Sequence, residues 1–143
     1  MKTPSLALLI VIPVHNEAET LPGLFRELNR VRGSALRSVG PLEVVLVDDG
    51  SKDRSWELIA GERDHHSVYV GLKLSRNFGH QLALAAGLEA ARGEAVMTMD
   101  ADLQHPPELI PQMLATHRQG RTKNHLGLTV ESEVLENNHP ISK

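Results

Sequence analysis

The chain has 143 residues, 41% of them hydrophobic and 23% charged, which is typical of a globular domain and argues against wholesale disorder. Its formal net charge of −3 provides no basic surface for a phosphate backbone, so we expect no nucleic-acid partner. It contains no cysteine, which excludes disulfides, thiolate metal sites and cysteine nucleophiles. This composition suits a reducing compartment, and we expect a cytoplasmic protein.

The first apolar segment, Leu6 to Ile12, is seven residues long. A membrane-spanning helix needs about 20 apolar residues, so we expect no transmembrane segment. Lys2 followed by an apolar run also resembles a signal peptide, but no small-residue cleavage site follows. A buried first strand is therefore the favoured interpretation.

Short apolar runs then alternate with helical patterns along the chain. This alternation predicts an α/β fold with a doubly wound, mostly parallel sheet and right-handed crossovers. The predicted strands are 6–12, 44–47, 68–72 and 95–99, and the predicted helices cover 21–31, 56–59, 80–91 and 108–118. Asn16 is predicted to cap the first helix, with Glu19 completing a capping-box-like pair.

Polar clusters follow three of the predicted strands. They are Pro13 to Glu17, Asp48 to Ser51, and Asp100 to Asp102. Ligands of open parallel sheets bind outside the carboxyl ends of the strands, so these clusters mark a candidate site.

The strongest chemical signal is the pair Asp100 and Asp102. Two carboxylates separated by one residue can converge on Mg²⁺, which completes its shell with substrate phosphates and water. A solvated acidic turn is the alternative interpretation of such a short pattern. Its position after an apolar strand favours the metal site.

The remaining polar residues allow simpler interpretations. Asn16 and Ser51 can serve as helix caps, and Gly79 and Gly93 as turn and cap glycines. The eight histidines show no metal-site spacing. Arg76 is either a surface charge or a partner for phosphate or carboxylate.

Four segments together resemble glycosyltransferases of family 2, in particular the branch that transfers sugars to polyprenyl phosphates. The resemblance covers residues 5 to about 120, and the segments are 11–17, 47–53, 75–81 and 99–107. It implies a glycosyltransferase A-type, Rossmann-like fold that binds a nucleoside-diphosphate sugar carrying UDP or GDP. It also implies Mg²⁺ or Mn²⁺ as cofactor and polyprenyl phosphate as the acceptor, met at the cytoplasmic face of a membrane.

The resemblance also assigns roles to particular residues. Asp100, Asp102 and Gln104 would hold the metal, and Asp102 is the residue it assigns to catalysis. The residues it implies in nucleotide-sugar binding are Pro13, His15, Glu17, Val47, Asp49, Arg76, Asp100, Ala101 and Asp102. Many relatives have tyrosine where His15 stands.

Residues 121–143 do not resemble the family. We therefore expect residues 1–120 to form the nucleotide-sugar-binding domain and 121–143 to form a flexible tail, in which only 126–130 is strand-like. The chain resembles a truncated transferase that retains the donor-binding half. The alternatives are an active enzyme, a catalytically silent fragment that binds the nucleotide sugar, and a product that does not fold stably.

Overall fold

The computed structural model describes residues 7–89, 95–102, 107–118 and 129–131. Its elements alternate as the sequence predicts. In chain order they are β1 (Leu8–Val14), α1 (Leu21–Arg32), β2 (Leu42–Asp48), α2 (Ser55–His65), β3 (Tyr69–Lys73), α3 (His80–Glu89), β4 (Ala95–Thr98), a 3₁₀ turn (Pro107–Leu109), α4 (Ile110–Arg118) and β5 (Thr129–Glu131).

The strands form one sheet in the order β3-β2-β1-β4-β5. The first four run parallel, and β5 pairs antiparallel with β4. The predicted doubly wound, mostly parallel sheet is thus confirmed. The chain moves outward from β1 to β3 and then crosses to the other side of β1, which places a topological switch between β1 and β4.

Each face of the sheet is covered by helices. Side chains alternate along β1, so Leu8 and Ile10 face one apolar cluster while Leu9 and Val11 face the other. The first cluster is larger and includes residues of α1, α2 and α4, whereas α3 covers the second. This double burial explains why the strands are continuously apolar rather than alternating.

The start of α1 differs from the prediction. The helix begins at Leu21 after Thr20, with Pro22 in its first turn. Asn16 does not cap it, because its backbone is left-handed with φ of 53° and its side chain bonds to another loop. The predicted capping box with Glu19 is therefore wrong.

Two sequence predictions concern residues near the end of the chain. The short strand β5 (Thr129–Glu131) overlaps the predicted strand-like segment 126–130. Gly93, Gln104 and most of residues 119–143 lie outside the described residues, so the predicted cap, the metal ligand and the flexible tail stay predictions. Within the described part of the chain, no helix has both the length and the apolar character needed to cross a bilayer.

Candidate functional site

Four loops leave the carboxyl ends of the parallel strands on one edge of the sheet. We call them the β1 loop (15–20), the β2 loop (49–54), the β3 loop (74–79) and the β4 loop (99–102). Backbone pairing continues into three of them. Asp49 N–H donates to the carbonyl of Val14, Leu74 N–H to that of Asp48, and Met99 N–H to that of Val11.

The β1 and β2 loops are joined by reciprocal hydrogen bonds. The backbone N–H of Asn16 donates to Ser51 Oγ, and Asn16 Oδ1 accepts from the backbone N–H of Lys52, both at 2.8 Å. The helix-cap interpretation of Asn16 and Ser51 is thus wrong, since each bonds across to the other loop. Further along, the N–H of Glu17 donates to Ser55 Oγ at 2.9 Å.

Asp53 fixes the same pair of loops. Its Oδ1 accepts from both the N–H and the hydroxyl of Ser55, and its Oδ2 accepts from the N–H of Ala18 at 3.1 Å. Desolvation works against ionisation, but the bonds from Ser55 and Ala18 outweigh it and lower the pKa of Asp53. Asp53 therefore acts as an ionised anchor between the loops.

Asp49 connects the β2 loop to the β3 loop. Its carboxylate is 3% exposed and accepts from the backbone N–H groups of Phe78 at 2.7 Å and Gly79 at 3.1 Å, as well as from Asn77 Nδ2 at 3.3 Å. Gly50 follows with φ of 68°, and a Cβ there would lie 2.3 Å from the backbone N of Asn77. The two loops are therefore packed backbone to backbone.

His15 has an exposed side chain that contacts the junction of the β2 and β3 loops. Its Nδ1 is 2.8 Å from the carbonyl oxygen of Asp49, so Nδ1 carries the hydrogen in the neutral ring. Nε2 is then the acceptor, and Asn16 Nδ2 lies 3.3 Å from it. Asn77 Nδ2 lies 3.4 Å from Nε2 and 3.2 Å from the carbonyl oxygen of Asp49, both of which are acceptors. Residues of the β1, β2 and β3 loops therefore hold the ring, which is exposed to solvent.

Carboxylates from three loops act on one another at the same edge. Partial burial raises the pKa of Glu17, and the negative charges of Asp102, Asp100 and Asp53 raise it further. Asp100 and Asp102 are exposed. A cation bound at this edge would offset the repulsion between these carboxylates.

The donor set fits a hard divalent cation that is shared with a ligand. Within the described ranges, no three His, Asp or Glu side chains are grouped closely enough to hold a metal on their own. Asp100 and Asp102 supply two carboxylates, and Mg²⁺ is commonly held by one or two carboxylates together with phosphate oxygens.

The other predicted site residues differ in their accessibility. Val47 is fully buried in the cluster under α3, and Ala101 is 2% exposed, so neither side chain lies open at the edge. Pro13 is partly buried near the end of β1. Arg76 is exposed, and its guanidinium carbon is 4.1 Å from the ring centroid of Phe78.

Sequence reasoning missed Asn77, Asp53 and Ser55 as organising residues. Asp53 and Ser55 show a recognisable local signal, because an aspartate two residues before a serine at a helix start favours this turn. Asn77 offers no such signal, since its partner His15 is 62 positions away.

A separate cleft of about 600 Å³ lies at the opposite, amino end of the strands. Its lining includes Asn29, Arg32, Leu42 and His66. The loops that carry the polar clusters do not line it, and we do not assign it to the candidate site.

The mostly parallel sheet, with both faces covered and an acidic carboxyl edge, matches the glycosyltransferase A-type fold. The family model described as "Glycosyl transferase family 2" matches residues 9–138, and the chain belongs to this family. It is 50% identical over 114 residues to the undecaprenyl-phosphate 4-deoxy-4-formamido-L-arabinose transferase of Pseudomonas paraeruginosa. It is 46% identical over 115 residues to the enzyme of that name from Aeromonas hydrophila.

These matches cover 78% of this chain but only 32% and 33% of the two relatives. The chain thus spans about a third of the length of the curated relatives it matches. Among solved structures, a Pyrobaculum calidifontis mannosyltransferase in complex with GDP-Man and Mn²⁺ aligns with a TM-score of 0.61 at 25% identity, covering 75% of this chain and 30% of that one. S. aureus TarS aligns with a TM-score of 0.65 at 22% identity, covering 80% and 32%, and this likeness concerns the fold alone.

Proposed function

We propose that this chain binds the donor for transfer of a sugar from a nucleoside diphosphate to a polyprenyl phosphate, at the cytoplasmic face of a membrane. Residues 1–120 would form the donor-binding domain. The relatives that are named for undecaprenyl-phosphate transfer support this acceptor. The mannosyltransferase in complex with GDP-Man and Mn²⁺ supports a nucleotide sugar and a divalent cation.

One observation carries the proposal: Asp49 and Asn77 fix His15 beside an acidic edge. The imidazole ring of His15 is exposed, so a nucleotide base can stack on it. The carboxylate of Asp49 accepts from two backbone amides and from Asn77 Nδ2, and would offer its remaining lone pair to an N–H or O–H group of the base or ribose. Pro13 and Glu17 flank this position along the chain.

The diphosphate would lie toward Asp100 and Asp102. These two residues, with Gln104, would hold Mg²⁺ or Mn²⁺, which when bound would neutralise charge on the diphosphate leaving group. Ala101 between them has a buried side chain, so its contact with the donor would be made by its backbone. Asp102 is the proposed catalytic residue because it would help to hold the cation that stabilises the diphosphate leaving group.

The transfer itself requires little acid–base catalysis by the chain. A phosphate monoester with a second pKa near 6 is largely dianionic at neutral pH. One of its oxygens forms the new bond to the anomeric carbon while the bond from that carbon to the diphosphate breaks, and the nucleoside diphosphate leaves. The chain's contribution is then to position the donor, an effect that can supply about 7–11 kcal/mol of barrier reduction.

Titration calorimetry with UDP and GDP tests the donor site. We expect one of them to bind in the presence of Mn²⁺ and to lose at least tenfold in affinity with EDTA. Asp102→Asn removes one carboxylate charge and should reproduce most of that loss, whereas Asp64→Asn, an exposed aspartate on α2, should not. Equal affinity with and without metal would contradict the proposed cation site.

Activity requires a separate experiment. Transfer of a radiolabelled sugar to a polyprenyl phosphate by the chain would establish the enzyme. Nucleotide binding without transfer would support the alternative of a catalytically silent donor-binding fragment.

A further inference from the structure

The start of α3 presents apolar side chains to solvent. Among the described residues, the large hydrophobic side chains that are exposed are Phe78, at 37%, and Leu82, at 48%. Phe78 lies two residues before α3 (His80–Glu89), and Leu82 lies in its first turn. We call these two residues, together with Arg76, the α3 surface.

Arg76 adds a positive charge to the α3 surface. Its guanidinium carbon lies 4.1 Å from the centroid of the Phe78 ring, and Nη1 donates a long bond of 3.5 Å to the carbonyl of Asn77. In the described part of the chain Arg76 has no ion pair with a carboxylate, whereas Arg30, Arg54 and Arg63 each have at least one. Its charge is thus available to an external anion.

The β3 loop, which carries Arg76 and Phe78, is held in place by a hydrogen bond and by close packing. The N–H of Phe78 donates to Asp49 at 2.7 Å, and Gly50 lies against the backbone of Arg76 and Asn77. The exposed aromatic ring therefore sits on an anchored backbone, so a ligand could use it with little ordering cost.

The same loop reaches the proposed donor pocket. Asn77 lies between Arg76 and Phe78 in sequence, and its side chain contacts His15 and Asp49. A ligand on the α3 surface would therefore lie next to the donor.

We propose that the α3 surface binds the acceptor, a phosphate monoester carried on an apolar isoprenoid chain. Arg76 pairs with the phosphate, and Phe78 and Leu82 contact the first isoprene units. Charge complementarity selects this occupant, since an uncharged hydrophobic partner would leave the guanidinium unused and a free phosphate would leave the two apolar side chains unused. The inference rests on the proposed transfer function and assigns the surface that binds its acceptor.

Calorimetry with farnesyl monophosphate tests the proposal, because this short probe combines both chemistries. We expect it to bind the wild-type chain more tightly than either inorganic phosphate or farnesol. Arg76→Gln should weaken this binding at least tenfold, and Leu82→Gln about threefold or more. Arg26→Gln changes an exposed arginine of α1 and should stay within twofold of wild type. Thermal unfolding of each variant checks that the fold is retained.

Nucleotide binding separates this proposal from the function on which it rests. With Mn²⁺ present, Leu82→Gln should bind UDP or GDP within twofold of the wild-type affinity, and Arg76→Gln should lose more affinity for farnesyl phosphate than for the nucleotide. If neither UDP nor GDP binds the wild-type chain or its variants, the donor proposal fails. The proposal for the α3 surface is still supported in that case if Arg76→Gln and Leu82→Gln weaken farnesyl phosphate binding as expected. If nucleotide and farnesyl phosphate affinities fall by the same factor in Arg76→Gln, the arginine belongs to the donor site and the acceptor proposal is overturned.

Three further results would also overturn it. One is unchanged or undetectable farnesyl phosphate binding in wild type and Arg76→Gln alike. Another is inorganic phosphate binding as tightly as the lipid, which would indicate a site for free phosphate. The third is self-association of the wild-type chain that Leu82→Gln abolishes, since the surface would then be an interface between copies.

Discussion

The backbone N–H of Phe78 donates a 2.7 Å hydrogen bond to the buried carboxylate of Asp49. This bond joins the end of β2 to the turn that starts α3, across 29 positions of sequence. Gly79 donates to the other oxygen of the same carboxylate. Asp49 therefore has a structural role in addition to its proposed contact with the nucleotide.

Replacement of Asp49 tests this connection. Asn keeps the shape but has one acceptor oxygen, so it cannot accept from both Phe78 and Gly79. We expect Asp49→Asn to lower the free energy of unfolding by about 1–3 kcal/mol, the cost of a buried donor without a partner, and to weaken nucleotide binding. Urea denaturation and calorimetry measure the two effects. Asp64→Asn on the exposed face of α2 is the matched control, and equal stability of the two variants would contradict the role of Asp49.

Two glycines provide an internal comparison. Gly50 has a positive φ, and a Cβ there would lie 2.3–2.4 Å from backbone atoms of Asn77 and Arg76. Gly50→Ala should therefore destabilise the chain by more than about 2 kcal/mol, through left-handed strain and the clash together. Gly61 lies inside α2 with no atom within 4 Å of an added Cβ, so Gly61→Ala should stabilise it by about 0.5–1 kcal/mol. The denaturation midpoints of the two variants measure these effects. Similar changes in stability at both positions would contradict the close packing of the β2 and β3 loops.

The raised pKa of Glu17 predicts a pH dependence. Its partial burial and the charges of Asp102, Asp100 and Asp53 disfavour the ionised form, so the folded chain binds the proton more tightly than the unfolded chain. The penalty is absent below the ordinary value of 4.5 and grows as the pH rises through the folded pKa. We expect Glu17→Gln to raise the melting temperature at pH 7 and to have a smaller effect at pH 4. Scans run in EDTA measure this, and an effect that is larger at pH 4 would contradict it.

Asp53 should show the opposite dependence. Hydrogen bonds from Ser55 and Ala18 lower its pKa, so its stabilisation is present above the ordinary value of 3.8 and lost as the pH falls through the folded value. We expect Asp53→Ala to cost on the order of 1 kcal/mol at pH 7, as the loss of a helix cap does, and less at pH 3. Thermal melts at the two pH values provide the measurement. A cost that is independent of pH would mean that shape rather than charge matters at this position.

The strands could be predicted because their signal is local. Four apolar runs predicted β1 to β4 to within a few residues. β1, β2 and β4 are largely buried on both faces, whereas β3 is mostly partly buried. The predicted end of β1 is two residues too early because Pro13 is expected to end the strand. In the structure β1 continues to Val14, which pairs with Asp48 of β2. The antiparallel pairing of β5 with β4 carries no comparable sequence signal.

The site could be located but not assembled from the sequence. The rule that ligands bind at carboxyl strand ends indicated the correct edge. The interpretation of Asn16 and Ser51 failed because a capping rule considers only nearby residues, whereas these two bond across 35 positions. The position of Asn77 between His15 and Asp49 likewise depends on the sheet order, which no single segment encodes.

The two faces of the sheet have unequal cover, and this inequality has a dynamic consequence. Among the described residues, α3 contributes the helical side of the smaller cluster, with Ala83 as its buried hydrophobic side chain there. The first turn of α3 carries the exposed Leu82, and a helix end with exposed side chains is expected to open before buried strands in hydrogen exchange. Because the amides of Phe78 and Gly79 lie at its start, a partial opening of α3 would disassemble the site while the central strands stay folded. A donor that bridges the loops would suppress that opening, so ligand binding would be read out as slower amide exchange far along α3.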